Sequence, residues 1–184
     1  PAYVSRPNLR YDMKCGSTDY STFRAANTER NRMVYVGSND GMLHGFDAGS
    51  KDLSSGLFSS GTGLEKIAYV PSAVFNNLKL LTKPSYNTVT TGSGASVDTT
   101  SYSEHRYYVD SKSIISDACL NSEWHSVLIG RLGAGGRGVF ALDVTDPAQF
   151  SEDNAKNLVL WEITAADDPD LGYTFGGSWI VKMN

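Results

Sequence analysis

The sequence predicts an all-β fold assembled from repeated antiparallel units that stack as propeller blades, and three observations carry that prediction. The 184 residues are 40% hydrophobic, 11% aromatic and only 20% charged, with 18 glycines and 10 tyrosines, a mix that favours strands and tight turns over helices. The stretch Val34 to Ala48, VYVGSNDGMLHGFDA, reads as a β-hairpin. The hairpin then recurs. VYVG, a turn, MLHGFDA, a loop and LEKIAYV are matched further on by VLIG, a glycine turn, GVFALDV, a loop and LVLWEI. Each copy runs strand, turn, strand ending at an aspartate corner (Asp47 or Asp143), loop, strand. Units of this kind cannot bury their faces alone and stack radially. A β-sandwich that reuses one hairpin pattern is the competing architecture, and the matching order of elements favours the propeller.

Residues 1–32, rich in Asn, Arg, Ser and Thr with isolated aromatics, are expected to be extended and irregular, with a short strand near Tyr3. In the hairpin, Val34 and Val36 point to one face and Tyr35 to the other. Asn39, Asp40 and Gly41 supply the turn, because Gly accepts positive φ and Asn and Asp bond their own backbone. Met42, His44 and Phe46 then alternate with Leu43, Gly45 and Asp47. A Ser/Gly-rich loop over 49–63 leads to a strand over 65–70 that stops at Pro71. Ser72 can cap one short helix over 73–81, where Val74, Leu78 and Leu81 fall on one face. The stretch 84–104, PSYNTVTTGSGASVDTTSYSE, is dominated by Ser, Thr and Gly and is expected to be an exposed flexible loop, since it cannot bury enough apolar surface to order itself. Further strands are expected over 105–110, 124–132, 139–144 and 158–163, with a turn at 133–138 and a turn-rich loop at 167–177. The chain lacks an initial methionine and stops inside an apparent strand over 179–183. Both ends are therefore expected to be cut, leaving 1–184 as a single partial domain of about two blades with flanking strands.

The formal charge of −4 gives no electrostatic footprint for nucleic acid, and no apolar run reaches the length of a membrane span. Cys15 and Cys119 are a candidate disulfide. Paired, they would close a loop of about 100 residues and imply an oxidising compartment; two unrelated thiols, or partners elsewhere, are the alternatives. Gly133, Gly135 and Gly138 spell G-x-G-x-x-G, but that fingerprint must open a helix to hold a pyrophosphate. Here a strand follows, so Gly135 and Gly138 read as turn residues. Asp167, Asp168 and Asp170 are interrupted by Pro169 and lack the alternating ligands of a calcium loop. His44, His105 and His125 are too scattered for a zinc signature, and no G-x-S-x-G marks a serine nucleophile. No catalytic, cofactor-binding or metal-ligating residue is assigned, and the chain is not expected to be an enzyme. Asp143 and Trp161 are given structural roles at the blade corner, the carboxylate accepting turn N–H groups and the indole packing between blades. Tyr86, Thr90, Ser93 and Tyr102 are the candidate partner contacts, because a loop of Tyr, Ser, Thr and Gly combines rigid aromatic contacts with adaptable polar ones; an inert insertion is the alternative.

Taken in order, RNRMVYVGSNDGMLHGFDA, AYVPSAVFNNLKLLT, HRYYVD, LIGRLGAGGRGVFALDVTDP, VLWEI and DDPDLGYTFG resemble the C-terminal β-propeller of the PilC/PilY family of type IV pilus tip-associated adhesins. The resemblance runs from Arg30 to Asn184, with NDGMLH and GAGGRGVFALDVTDP its most specific phrases; residues 1–29 match loosely. It implies part of a modified seven-bladed β-propeller of quinoprotein-like repeats, exported to the bacterial cell surface, outer membrane or pilus tip. The implied function is non-catalytic: pilus biogenesis and assembly, opposition to retraction, adhesion and surface sensing. The implied partners are minor pilins and a host-cell or abiotic surface ligand. The family's calcium loop, D-x-D-x-D-G, belongs downstream of residue 184, so no position here inherits it and no cofactor is expected in this segment. The 84–104 stretch is longer and richer in Ser and Thr than the family pattern leads one to expect. The VYVG…DG…FDA repeat also resembles pyrroloquinoline-quinone dehydrogenases of the quinoprotein propeller class. That reading needs calcium and cofactor ligands with a catalytic aspartate, commonly beside an adjacent Cys-Cys pair, and no Cys-Cys occurs in this chain.

Overall fold

The computed structural model describes residues 1–84, 86, 89–90, 101–102 and 105–181. The first part of the chain supplies β1 (Ala2–Val4), a small hairpin of β2 (Lys14–Cys15) and β3 (Thr18–Asp19), the helix α1 (Tyr20–Ala26), then β4 (Met33–Gly37), β5 (Leu43–Asp47) and β6 (Glu65–Tyr69). Strands β1, β4, β5 and β6 lie side by side in that order as one antiparallel sheet. The alternation in β4 and β5 sets its two faces, as the pleat requires. Met33, Tyr35 and Leu43 are fully buried, whereas Val34, Val36, His44 and Phe46 on the other face are half-buried. Strand β6 ends before Pro71, and a 3₁₀ turn at Ser72–Val74 runs into α2 (Phe75–Leu78).

After a two-residue pairing of β7 (Val89–Thr90) with β8 (Ser101–Tyr102), the chain forms β9 (Ile114–Leu120), β10 (Glu123–Arg131), β11 (Gly138–Asp143), α3 (Ala155–Leu158) and β12 (Val159–Thr164). The last four strands make a second four-stranded antiparallel sheet in the order β12, β11, β10, β9. Asn121 and Ser122 close the β9–β10 hairpin with φ of 50° and 69°, the paired positive values that a two-residue type I′ turn demands.

The two sheets share one core. Met33, Tyr35 and Leu43 of the first meet Leu128, Phe140 and Leu142 of the second, with Val74, Tyr108 and Val109 packed among them. A smaller cluster of Cys15, Tyr20, Phe23 and Trp124 fastens α1 and the β2–β3 hairpin to β10, and Cys15 is disulfide-bonded to Cys119 in β9 with a Cα–Cα distance of 5.4 Å. Among the described residues the molecule is mostly β, with two blade-like four-stranded sheets and no closed ring.

Several expectations need correction. Helices α1 and α3 accompany the one short helix expected. Ser72 does not cap α2: its hydroxyl and N–H donate to Glu162 of the second sheet. The expected strand over 105–110 is instead an irregular crossing between the sheets. Its consecutive residues Tyr108 and Val109 are both buried, each 1% exposed, which a strand with one solvated face could not achieve. Strand β9 was not expected. Residues 179–181 form no ladder, and 182–184 lie outside the described residues.

Candidate functional site

The crossing segment 105–111 is where the two sheets, α2 and the base of the 84–104 stretch come together. Its backbone is held from both sides. Tyr108 N–H donates to Asn39 Oδ1 of the β4–β5 turn at 3.2 Å, Val109 N–H to the Ser38 carbonyl at 3.3 Å, and Asp110 N–H to the Leu132 carbonyl at 3.2 Å. The Tyr108 hydroxyl donates to the Asn77 carbonyl at 2.9 Å, and burial raises its pKa. On the far side a Cβ at Gly135 would overlap the Tyr108 carbonyl. This glycine of the G-x-G-x-x-G run therefore serves a close backbone approach. Gly138 begins β11 and packs on Leu132.

Above this crossing lies an open cleft of about 630 Å³. Its wall on the crossing segment is His105, Arg106 and Tyr107, and the opposite wall is Ala134 to Arg137 with Thr164, Ala165, Ala166 and Tyr173. Tyr86 anchors the base of the 84–104 stretch here: its hydroxyl donates to the Arg106 carbonyl and accepts from the Arg106 N–H, both at 3.3 Å. The Tyr86, His105 and Tyr107 rings follow one another at centroid spacings of 6.3 and 5.2 Å. Arg137 is steadied by donating to the Pro169 carbonyl at 3.2 Å.

Of the candidate loop contacts, Tyr86 lies beside the cleft, bonded to the Arg106 backbone and near the His105 ring, but does not line it. Thr90 and Tyr102 lie in the β7–β8 pairing, and Ser93 lies outside the described residues. The turn residues behave as local chemistry. Asp40 Oδ1 accepts from Met42 N–H, and Gly41 takes a φ of 100°. The corner aspartates are matched: Asp47 accepts from Gly49 N–H and from the N–H and hydroxyl of Thr62, and Asp143 accepts from the N–H and hydroxyl of Thr145. Trp161 pairs with Ala141 on the face of β11 that does not carry Phe140 and Leu142, and is 41% exposed. Asp167 and Asp168 spend carboxylate oxygens on the Thr164 and Asp170 N–H groups. Among the described residues no cluster of three or more His, Cys, Asp or Glu side chains is placed to hold a metal, and no helix is long and apolar enough to cross a membrane.

Sequence reasoning missed a polar chain beneath the N-terminal cap formed by α1 and the β2–β3 hairpin. Tyr20 and Ser126 hydroxyls donate to the two oxygens of Asp117, each at 2.5 Å, and Arg30 donates to Ser126 Oγ at 2.8 Å and the Thr145 carbonyl at 3.1 Å. Burial, reinforced by Asp117, pushes the Tyr20 phenol pKa well up. Burial pulls the Arg30 pKa down against the pull of Asp117. A second bridge joins the sheets directly, with Glu162 of β12 accepting from Tyr69 and from Ser72. No motif links these residues in sequence.

The sequence pattern of the PilY1 beta-propeller domain matches residues 7–184. The chain belongs to the PilY1 β-propeller domain family. It is 44% identical over 168 residues, 91% of its length, to the type IV pilus biogenesis factor PilY1 of Pseudomonas aeruginosa strain UCBPP-PA14. It is 42% identical over 166 residues to a PilY1 homolog of Xylella fastidiosa strain Temecula1. The aligned regions are 12% and 9% of those relatives, so the chain spans about a tenth of their length. The crystal structure of the Pseudomonas aeruginosa PilY1 C-terminal domain superposes with a TM-score of 0.59 at 36% identity, covering 95% of this chain and 27% of that one.

Proposed function

We propose that this chain is two blades of the propeller of a type IV pilus biogenesis and adhesion factor. The full protein would be non-catalytic, exported to the cell surface, outer membrane or pilus tip, and engaged with minor pilins and with a host-cell or abiotic surface. Its propeller would have seven blades, and any calcium loop would lie in the part of the full protein that follows residue 184. The observation that carries this reading is the 44% identity, sustained over nearly the whole chain, to a pilus biogenesis factor. The blades would serve as a rigid platform, and the rim between them, where Tyr86 ties the 84–104 stretch to the crossing segment, would meet the partner.

The test is genetic. Cells lacking the full-length protein should show few surface pili and reduced attachment, restored by the intact gene. A version without residues 85–103 should restore piliation but not full attachment. Normal piliation and attachment in the null strain would remove the reading. Full attachment with the shortened version would remove the role of the stretch alone.

A further inference from the structure

We propose that the cleft over the crossing segment binds an acidic saccharide, with Arg106 and Arg137 holding its carboxylate and Tyr107 and Tyr173 lying against its rings. The proposal rests on the adhesion reading for its biological meaning and on the cleft itself for its chemistry.

The chain as a whole carries a net charge of −4, yet among the described residues this cleft is lined by two arginines and a histidine and by no carboxylate. A concavity whose described lining carries basic side chains and no acidic ones sets up a local attraction for anions. Guanidinium groups grip carboxylates through paired, charge-assisted hydrogen bonds. The aromatic complement fits a sugar: Tyr107 is 48% exposed and Tyr173 61% exposed, and a tyrosine ring offers an apolar face beside a polar tip. A pyranose presents the matching surfaces, a C–H face and a rim of hydroxyls. At about 630 Å³ the cleft falls within the usual range for small-ligand sites. The far wall is built from Ala134, Gly135, Gly136, Ala165 and Ala166, whose small side chains leave the width a ring needs.

An acidic peptide is the competing ligand, and the backbone around the cleft argues against it. An extended peptide gains much of its affinity by adding to a strand edge. Here the main chain is already engaged: Ala165 N–H donates to the Arg137 carbonyl, Gly135 N–H to the Leu132 carbonyl, and the Asp167 and Asp168 N–H groups to the Thr164 carbonyl. With those groups taken, the lining side chains favour a compact, ring-shaped, polyhydroxylated acid.

The experiment is calorimetric titration of the purified full-length protein with three probes: trigalacturonic acid, neutral galactotriose and hexaglutamate. The uronate should bind, and the neutral trisaccharide at least about ten-fold more weakly, because a hydrogen bond from a guanidinium to a carboxylate is worth about 1.5 kcal/mol or more. The variant Arg106→Ala/Arg137→Ala should lose at least about ten-fold in uronate affinity while keeping its melting temperature within about 2 °C, both side chains being exposed. Tyr107→Ala should weaken the uronate with the arginines intact. Uronate binding unchanged in the double variant would overturn the site, and hexaglutamate binding in place of the uronate would overturn the ligand class. Silence from all three probes would overturn the proposal entirely. These readings are independent of piliation and attachment in cells, so the adhesion reading can fail while the cleft still binds its sugar, and the reverse.

Discussion

The two sheets solve one packing problem with their parts exchanged. In the first, an aromatic ring on β4 lies over a glycine directly opposite on β5, Tyr35 against Gly45. In the second, the glycine is on β10 and the ring on β11, Gly130 against Phe140. Each pairing places a flat ring on the shared core where a cross-strand neighbour has no side chain, and an aromatic over a glycine restores the cover that the glycine lacks. The position of the ring therefore belongs to the pair and not to either strand. A second difference is external support. The second sheet is stapled to the N-terminal cap by Cys15–Cys119, by the Trp124 N–H donating to the Thr18 carbonyl at 3.0 Å, and by the Tyr20–Asp117–Ser126 chain. The first sheet has no covalent staple, since both cysteines of the chain are in this bond.

Cutting that staple should have the largest effect. Cys15→Ser/Cys119→Ser opens a sequence separation of 104 residues, and restricting the unfolded chain over such a span is worth about 3–5 kcal/mol. Denaturant midpoints of the full-length protein should fall accordingly, and the cap over residues 13–26 should become the first site of proteolysis. Under non-reducing conditions the intact mass should be two hydrogens below the dithiol value. A dithiol mass, or a loss below about 1 kcal/mol, would show that the cap is held without the disulfide.

The exchanged ring pairs give the next effect. A Cβ on Gly130 would fall within the Phe140 ring, which the core holds at 1% exposure. Overpacking of this kind costs about 1–3 kcal/mol, and Gly130→Ala belongs at the upper end. Gly45→Ala meets the partly buried Ile67 Cγ2 at 2.6 Å and the buried Tyr35 ring at 2.7 Å, against a closer approach to the Phe140 ring at Gly130, so the overlap is less severe and the loss should be smaller. Adding Phe140→Leu to Gly130→Ala should recover part of the loss. Non-additivity of the two changes measures the pair, and strict additivity would refute it.

Much of this was legible. The opening hairpin was readable because its strands alternate around a glycine-containing turn, β10 to β12 because each is a short apolar run bounded by turn-forming Gly, Asp or Asn, and the recurrence of the unit pointed to blades. Strand β9, IISDACL, was hidden by Asp117, a charge in mid-strand whose partner Tyr20 lies 97 residues away. Helix α1 has seven residues, two of them buried, and no side-chain cap, too little for a 3.6-residue period to show. Residues 105–110 carry the apolar content of a strand, but they bridge two sheets and follow neither pleat. The cleft left no sequence signal, because its walls come from positions between Ala73 and Tyr173 that only the stacking of the sheets brings together.

The corner aspartates sharpen the comparison at lower amplitude. The Thr62 hydroxyl and N–H and the Gly49 N–H all donate to Asp47 and hold its carboxyl down to about 2, against an ordinary 3.8. A depressed folded value stabilises above the ordinary pKa, and the contribution is lost as pH falls from about 4 through about 2. Because this carboxylate is largely solvated, the effect on stability should be small, so the direct measurement is its NMR titration. Thr62→Val should move the midpoint upward. A native midpoint at the ordinary value would show that the corner bonds do not persist in solution. In the second sheet the same corner is closed within two residues by Thr145.

The smallest effect separates the two histidines. His44 on the first sheet bridges two carboxylates, with Nδ1 on Glu65 and Nε2 on Asp40 at 2.8 Å, whereas His125 on the second meets one, Asp143 at 2.7 Å. Both His44 nitrogens can donate at once only in the imidazolium form. Partial burial would lower its pKa, but the bonds to Glu65 and Asp40 outweigh it and the net shift is upward from 6.5. A raised folded value means that the contribution is fully present below pH 6.5 and fades as pH rises through the folded pKa. Glu65→Gln removes one charge and one obligate acceptor, so it should lower the His44 midpoint in a ring-proton NMR titration. If the His44 midpoint does not move, Asp40 alone holds the imidazolium, and each sheet then carries a histidine with a single carboxylate partner.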